Sequence, residues 1–251
     1  MDWLTQGLLF LISLVANIFS AFAGGGAGLL QFPALIFLGL SFSVALATHK
    51  VASVALGVGA TMRNLREGSL QPKLTVFIIC FGLPGVVLGA SVILFVPDRS
   101  AEIALGVLTA GLGLYSVVKP GLGQKAKVFS PDLWRYGVGG FVLFLIGILN
   151  GSLTSGTGLF VTIWLVQWFG MDYKRAVAHT LVLVGLFWNG SGAITLGIIG
   201  NIQWDWLPAL LLGSLLGGYI GAHLAITKGN RWIKRAFEVI TLCVGLKLII
   251  G

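Results

Sequence analysis

Apolar residues along this chain fall into ten blocks separated by short polar turns. The blocks cover residues 3–23, 29–39, 44–61, 74–96, 101–118, 134–153, 159–169, 176–199, 206–227 and 232–250. Within each block apolar positions run on without the alternation of a half-buried strand. The pattern therefore predicts helices and argues against a β-barrel. Most blocks approach the roughly 20 residues that span a hydrocarbon core. The second and seventh are much shorter, and each directly follows a small-residue cluster, GGGAG at 24–28 or SGTG at 155–158. Glycine frees the backbone to leave a helix, so both blocks read as short broken or re-entrant helices.

Composition fixes the setting of these helices. Of 251 residues, 57% are hydrophobic and 10% are charged, and the mean hydropathy is +0.97. A soluble domain of this size cannot hide so much apolar surface, so the class is an all-α polytopic membrane protein. The net charge of +8 does not point to nucleic acid, because the basic residues lie between apolar blocks instead of forming one basic domain. Cys80 and Cys243 both fall inside apolar blocks and read as small packing residues rather than a disulfide or metal pair. The first block follows Asp2 with no basic n-region and no clear cleavage site, so it reads as a retained helix.

Charge then orders the blocks. Arg63, Arg66 and Lys73 share one loop, and Lys119, Lys125, Lys127 and Arg135 share the next basic loop. Lys174 and Arg175 follow block seven, while Lys228, Arg231, Lys234 and Arg235 flank the start of block ten. If all ten blocks alternate in direction and the N-terminus is outside, thirteen of the sixteen Lys and Arg are cytoplasmic, as membrane insertion favours. Turning the short blocks back without a crossing would move Lys174 and Arg175 outside. Alternation, with both termini outside a bacterial cytoplasmic membrane, is the preferred arrangement.

The two halves repeat. Gly85, Gly89, Ala90, Thr109 and Gly113 match residues 132 further on, namely Gly217, Gly221, Ala222, Thr241 and Gly245. Ala45, Ala47 and Gly59 match Ala176, Ala178 and Gly190 at an offset of 131, and Gly26 and Gly28 match Gly156 and Gly158 at 130. This divides the chain into a first transmembrane repeat at 1–118, a cytoplasmic linker at 119–133 and a second repeat at 134–251. Five blocks per repeat is an odd number, so the second copy enters the membrane inverted. The basic loops agree, since 63–73 is basic and its counterpart 197–205 has no Lys or Arg. Inverted repeats with broken helices are typical of secondary transporters, whose site lies near the midplane where the repeats meet.

Two kinds of residue are candidates for that site. A helix that starts after a glycine cluster presents unpaired N–H groups and a positive dipole end, which suit an anion. Gly24, Gly25, Gly26, Ala27 and Gly28 form one such approach, and Ser155, Gly156, Thr157 and Gly158 form the other. Close helix packing is the alternative role for either cluster. The second kind is polar residues inside apolar blocks: Thr48, His49 and Lys50 in block three, and His179 and Thr180 at the matching place in block eight. An ionisable residue within a span is costly, which makes it a functional candidate; snorkelling or a structural hydrogen bond is the alternative. Glu102 and Glu238, near the starts of blocks five and ten, read as structural. Gly85–Gly89 and Gly213–Gly217–Gly221 are faces that pack helices within the chain or between copies in a homo-oligomer.

The run GGGAGLLQFPALIFLGLSFSVALATHKVASV, followed by RNLREGSLQPKL and LPGVVLGA, resembles the sulfite exporter TauE/SafE family of bacterial permeases. The resemblance extends over essentially the whole chain. It implies transport of sulfur-containing anions, and it carries over Gly24–Gly28, Thr48 and Lys50 as site residues. His49 stands where the family has an asparagine, and SGTGLFVTIW lacks the proline expected in the second half.

The sequence thus leads us to expect a secondary transporter for a small sulfur oxyanion (sulfite, thiosulfate or a small organosulfonate) working by alternating access. An anion channel of the same architecture is the alternative. His49 and His179 are candidates for proton coupling. No HExxH, CxxC or Walker motif is present. We therefore expect no enzyme activity, no metal and no cofactor, with a small anion and the lipid bilayer as the partners.

Overall fold

The computed structural model describes residues 3–25, 28, 30–68, 70–93, 98–127, 132–153 and 156–250, and these are helical with no strand. The helices are α1 (Trp3–Ala23), α2 (Gln31–Phe37), α3 (Phe42–Asn64), α4 (Pro72–Val92), α5 (Asp98–Val118), α6 (Leu133–Ser152), α7 (Thr157–Gln167), α8 (Tyr173–Val182), α9 (Asn189–Ile199), α10 (Leu207–Lys228) and α11 (Asn230–Ile250). Among the described residues the ten apolar blocks give eleven α-helices, because the eighth block is divided. A π-helical turn, Leu183–Trp188, joins α8 to α9. Such turns are rare and often sit at functional sites.

Among the described residues, six helical stretches are long and apolar enough to cross a bilayer: Trp3–Ala23, Phe42–Glu67, Pro72–Val92, Leu133–Ser152, Tyr173–Ile199 and Trp204–Lys228. α11 is of similar length but carries five charged residues, Arg231, Lys234, Arg235, Glu238 and Lys247. As expected, α2 and α7 are short. Their 7 and 11 residues rise only about 10 Å and about 17 Å, so neither spans the core as a helix.

Glycine sets the packing. α1 runs parallel to α10, with Gly213, Gly217 and Gly221 seated against the backbone at Phe10, Leu14 and Ile18. α4 runs parallel to α6 in the same way, with Gly85 against Phe144 and Gly89 against Ile148. A Cβ at Gly217 would lie 2.7 Å from the Leu14 carbonyl oxygen, and one at Gly85 would lie 2.2 Å from that of Phe144. Any larger residue would push these helix pairs apart, so both glycine faces are occupied within the chain. α5 and α11 pair antiparallel, with Gly113 on Thr241 and Gly245 on Ala110. Cys80 and Cys243 are free and exposed on the outside of the bundle, which corrects their reading as packing residues. A thiol is apolar enough to sit there among the exposed aliphatic side chains.

The basic loops gather at one end. Lys174 lies 3.5 Å from Glu67, which also pairs with Arg63 at 3.0 Å. The Lys127 N–H donates to the Gly170 carbonyl (2.7 Å), and that of Tyr173 donates to Gly123 (2.9 Å). Asn230 receives the Lys174 N–H (2.8 Å) and donates to the Gln124 carbonyl (3.0 Å). At the opposite end Gln6 donates to the Asp205 carbonyl, and Arg99 donates to the Leu248 and Ile249 carbonyls.

Candidate functional site

A cavity of about 40 Å³ lies where α1, α3, α6, α7 and the α8–α9 segment meet. Ser20, Gly25, Gly28, His49, Ser53, Asn150, Gly156, Thr157, Gly158, Thr180 and Asn189 contribute to its wall, with Leu56, Leu181, Val184 and Gly185. The two small-residue clusters, far apart in sequence, are in contact here. A Cβ on Gly25 would lie 2.9 Å from Gly158 Cα, and Gly25 has φ +106°. Both the left-handed backbone and the close approach therefore require glycine. Gly156, at φ +73°, precedes the first turn of α7, so the start of that helix faces the cavity. Gly24 serves packing instead: its carbonyl receives the Thr162 hydroxyl at 2.7 Å, and Thr162 Oγ1 is 2.9 Å from Thr180 Oγ1. Gly26, Ala27 and Ser155 lie outside the described residues, as does the side chain of Glu102.

Lys50 stands directly behind this wall. It is fully buried. Its ammonium donates to the Asn150 carbonyl (2.8 Å), Asn150 Oδ1 (3.1 Å) and Asn189 Oδ1 (3.3 Å). Those acceptors match its three N–H donors, yet all three are neutral. No carboxylate pairs with it among the described residues, and no Asp or Glu lines the cavity. Asn150 passes the connection on by donating from Nδ2 to Thr157 Oγ1 (2.8 Å). Gly192 makes room for the lysine, since a Cβ there would lie 2.7 Å from Lys50 Cδ.

His49 opens a second buried polar chain. Its Nδ1 is 2.8 Å from Gln31 Oε1, and Ser53 Oγ is 3.1 Å from its Nε2. Gln31 Nε2 donates to Ser13 Oγ (3.0 Å), which itself donates to the Leu210 carbonyl (2.7 Å). Because Gln31 turns its amide nitrogen to Ser13, its oxygen must accept. The network thus assigns the imidazole proton to Nδ1 and leaves Nε2 to accept from Ser53. Ser214 and Asn17 extend the chain between α1 and α10.

Thr48 and His179 do not line the cavity. Thr48 Oγ1 accepts the Gln203 N–H at 2.9 Å, and His179 Nε2 accepts the Gln71 N–H at 3.0 Å. His179 Nδ1 lies 2.8 Å from the Arg175 carbonyl, an obligate acceptor, so Nδ1 carries the proton here too. Each residue fastens the turn before α10 or α4 to the first turns of α3 or α8. The turns at Gln71 and Gln203 are structural, as their sequences imply, and their N–H partners are these two site candidates. Glu238 pairs with Lys234 and accepts from Ser116 Oγ (3.0 Å), in line with a structural role.

Sequence reading missed Ser20, Ser53, Asn150 and Asn189. Each is a neutral polar residue inside an apolar block, and neither a charge nor a small-residue cluster marks it. Asn150 and Asn189 were visible as amides without a turn to occupy.

Comparison with known proteins now bears on this geometry. The family described as Sulfite exporter TauE/SafE matches residues 9–248. The chain is similar to a probable membrane transporter protein of Haemophilus influenzae, 27% identical over 243 residues that cover 96% of this chain and 93% of the relative. It is similar to the probable membrane transporter protein YfcA of Escherichia coli K12 (27% identical; 98% and 90% covered). It is also similar to the probable membrane transporter protein YdhB of Bacillus subtilis (26% identical; 96% and 99% covered). No solved structure matches. These names are those of membrane transporters and not of enzymes, and with six helices able to cross a bilayer the chain is a multi-pass membrane protein. The match over nearly its whole length means that this protein belongs to the sulfite exporter TauE/SafE family.

Proposed function

We propose that the protein is a secondary transporter that carries a small sulfur oxyanion across a bacterial cytoplasmic membrane by alternating access. The observation that carries this reading is Lys50. A fully buried ammonium with only neutral acceptors lacks a counter-ion among the described residues, and an uncompensated buried charge is costly. An anion in the adjoining cavity supplies the missing charge. Asn150, Thr157, Ser20 and the N–H groups at the start of α7 supply donors. At about 40 Å³ the cavity holds roughly three water-sized spheres. That suits sulfite better than a bulkier organosulfonate, which would need the helices to part.

Inverted repeats support the rocking motion. Contacts Leu14–Gly217 and Ile18–Gly221 map, by the offsets of 130 and 132, onto Phe144–Gly85 and Ile148–Gly89. The two turn bonds are mates in the same way, Gln203 to Thr48 and Gln71 to His179. Around the cavity Ser20 pairs with Asn150, Gly28 with Gly158, and His49 with Thr180. The turn bonds act as latches, one toward each end, which favours a carrier over a channel. Protonation of His179 removes the acceptor of one latch only, giving protons a route to bias opening. The gathering of basic loops supports a cytoplasmic basic end and external termini.

Proteoliposomes loaded on one side test the reading. Saturable sulfite or thiosulfate flux with counterflow is expected. Large single-channel currents without counterflow would replace the carrier by a channel, and no flux of any of these oxyanions would defeat the proposal.

A further inference from the structure

A second and larger cavity opens at the basic end. It has a volume of about 570 Å³ and is bordered by the start of α4, the linker, α6, the α7–α8 turn and α8. Three cations line it, Lys73, Lys127 and Arg175, with no Asp or Glu among its lining residues. Lys73 and Lys127 form no ion pair among the described residues, and Arg175 meets only Asp172, at 3.8 Å. Aromatic rings line it as well. Phe77 stands edge-on to Tyr136 and to Phe169, with ring centroids 5.4 Å and 5.9 Å apart.

The pocket is built, not a gap between loops. Lys127 is pinned by its N–H to the Gly170 carbonyl at 2.7 Å. Gly170 has φ +70°, and a Cβ there would lie 2.7 Å from the Lys127 carbonyl oxygen. The linker is therefore pressed onto the α7–α8 turn, which fixes a lysine at the border of the pocket. Its inner wall is the latch itself: Gln71 and Arg175 both line the pocket, and both bond His179 through their main chains.

We propose that this pocket is a separate binding site for an anion with an apolar body, its sulfonate, sulfate or phosphate group held by Lys73, Lys127 and Arg175 and its body laid on Phe77, Tyr136 and Phe169. The proposal rests on the transport reading for its purpose, as a waiting site outside the His179 latch. The shared chemistry can come from a soluble organosulfonate or from an anionic lipid headgroup. Its size decides the difference from the central cavity, which has no room for the apolar body.

The test uses the full chain in phosphatidylcholine nanodiscs, with benzenesulfonate as probe and benzyl alcohol as the uncharged control. Benzenesulfonate is expected to bind saturably, and the double variant K73Q/K127Q to weaken it about five- to tenfold, as loss of two partly exposed charge contacts implies. K73R/K127R restores binding if charge is the cause, and benzyl alcohol is unaffected by either. In nanodiscs containing phosphatidylglycerol, competition with benzenesulfonate identifies a lipid headgroup as the occupant, and undiminished binding identifies a soluble anion. Equal affinity in K73Q/K127Q and the unaltered protein overturns the site. Sulfite flux measured alongside keeps the two readings apart: flux without lysine-dependent binding removes this pocket alone, whereas binding without flux removes the transporter and leaves the pocket.

Discussion

Replacing Lys50 by Met keeps a long apolar stem and deletes only the charge and its donors. The Nζ lies 3.1 Å from Asn150 Oδ1, and Asn150 faces the cavity. An anion bound by the far side of that carboxamide adds one more hydrogen-bond length of about 3 Å, so the two charges sit roughly 6 Å apart. At an effective dielectric constant of about 20, unit charges at that separation attract by about 3 kcal/mol, which corresponds to about a hundredfold in affinity. The variant also strands the Asn150 and Asn189 oxygens, each at a cost of roughly 1–3 kcal/mol in stability. Thermal unfolding must therefore be measured beside binding. Calorimetric titration of sulfite into the purified protein reads the affinity directly. A loss of about a hundredfold in a monodisperse, folded variant is expected. An affinity within threefold of the unaltered protein would show that Lys50 does not serve as the counter-ion, and the site would have to be drawn without it.

Three further outcomes follow from the same geometry. Gly57→Ala sets a Cβ 2.5 Å from the backbone of Gly185 and Leu186, so a lower unfolding temperature is expected, reflecting about 1–3 kcal/mol of overpacking that exceeds the roughly 1 kcal/mol gain in helix propensity; an unchanged or raised temperature contradicts this crossing of α3 and the π turn. His179 holds Gln71 only while Nε2 is unprotonated, so flux controlled by that latch rises as pH falls. His179→Gln keeps an acceptor at every pH and should flatten the flux profile between about pH 5 and 8; an identical profile in the variant excludes the latch as the titrating step. Glu238→Gln leaves Lys234 buried beside Ser116 without its carboxylate, and a destabilisation of about 3–5 kcal/mol should appear in denaturation, whereas unaltered stability would mean the pair is solvated in the native state.

Sequence alone determined the class, the apolar blocks and the two breaks marked by small residues, but not the π turn that divides the eighth block. Apolar blocks of bilayer length leave no other solution for the backbone, because every N–H and C=O in lipid must be satisfied within the segment. Glycine clusters at 24–28 and 156–158 marked the short helices correctly, since the left-handed conformations at Gly25 and Gly156 are open to few other residues. The gathering of basic loops was also legible, because charge within a span is costly. What only the tertiary structure decided is the direction each polar side chain takes. Thr48, His49 and Lys50 are neighbours in sequence, but successive residues on a helix point about 100° apart. Thr48 therefore meets the turn at Gln203, His49 meets the cavity, and Lys50 meets Asn150 and Asn189 behind it. The same rotation separates His179, on its latch, from Thr180, on the cavity wall. The asparagines that hold Lys50 come from α6 and α9, 100 and 139 residues away, and no local pattern encodes a pairing made by the packing of distant helices.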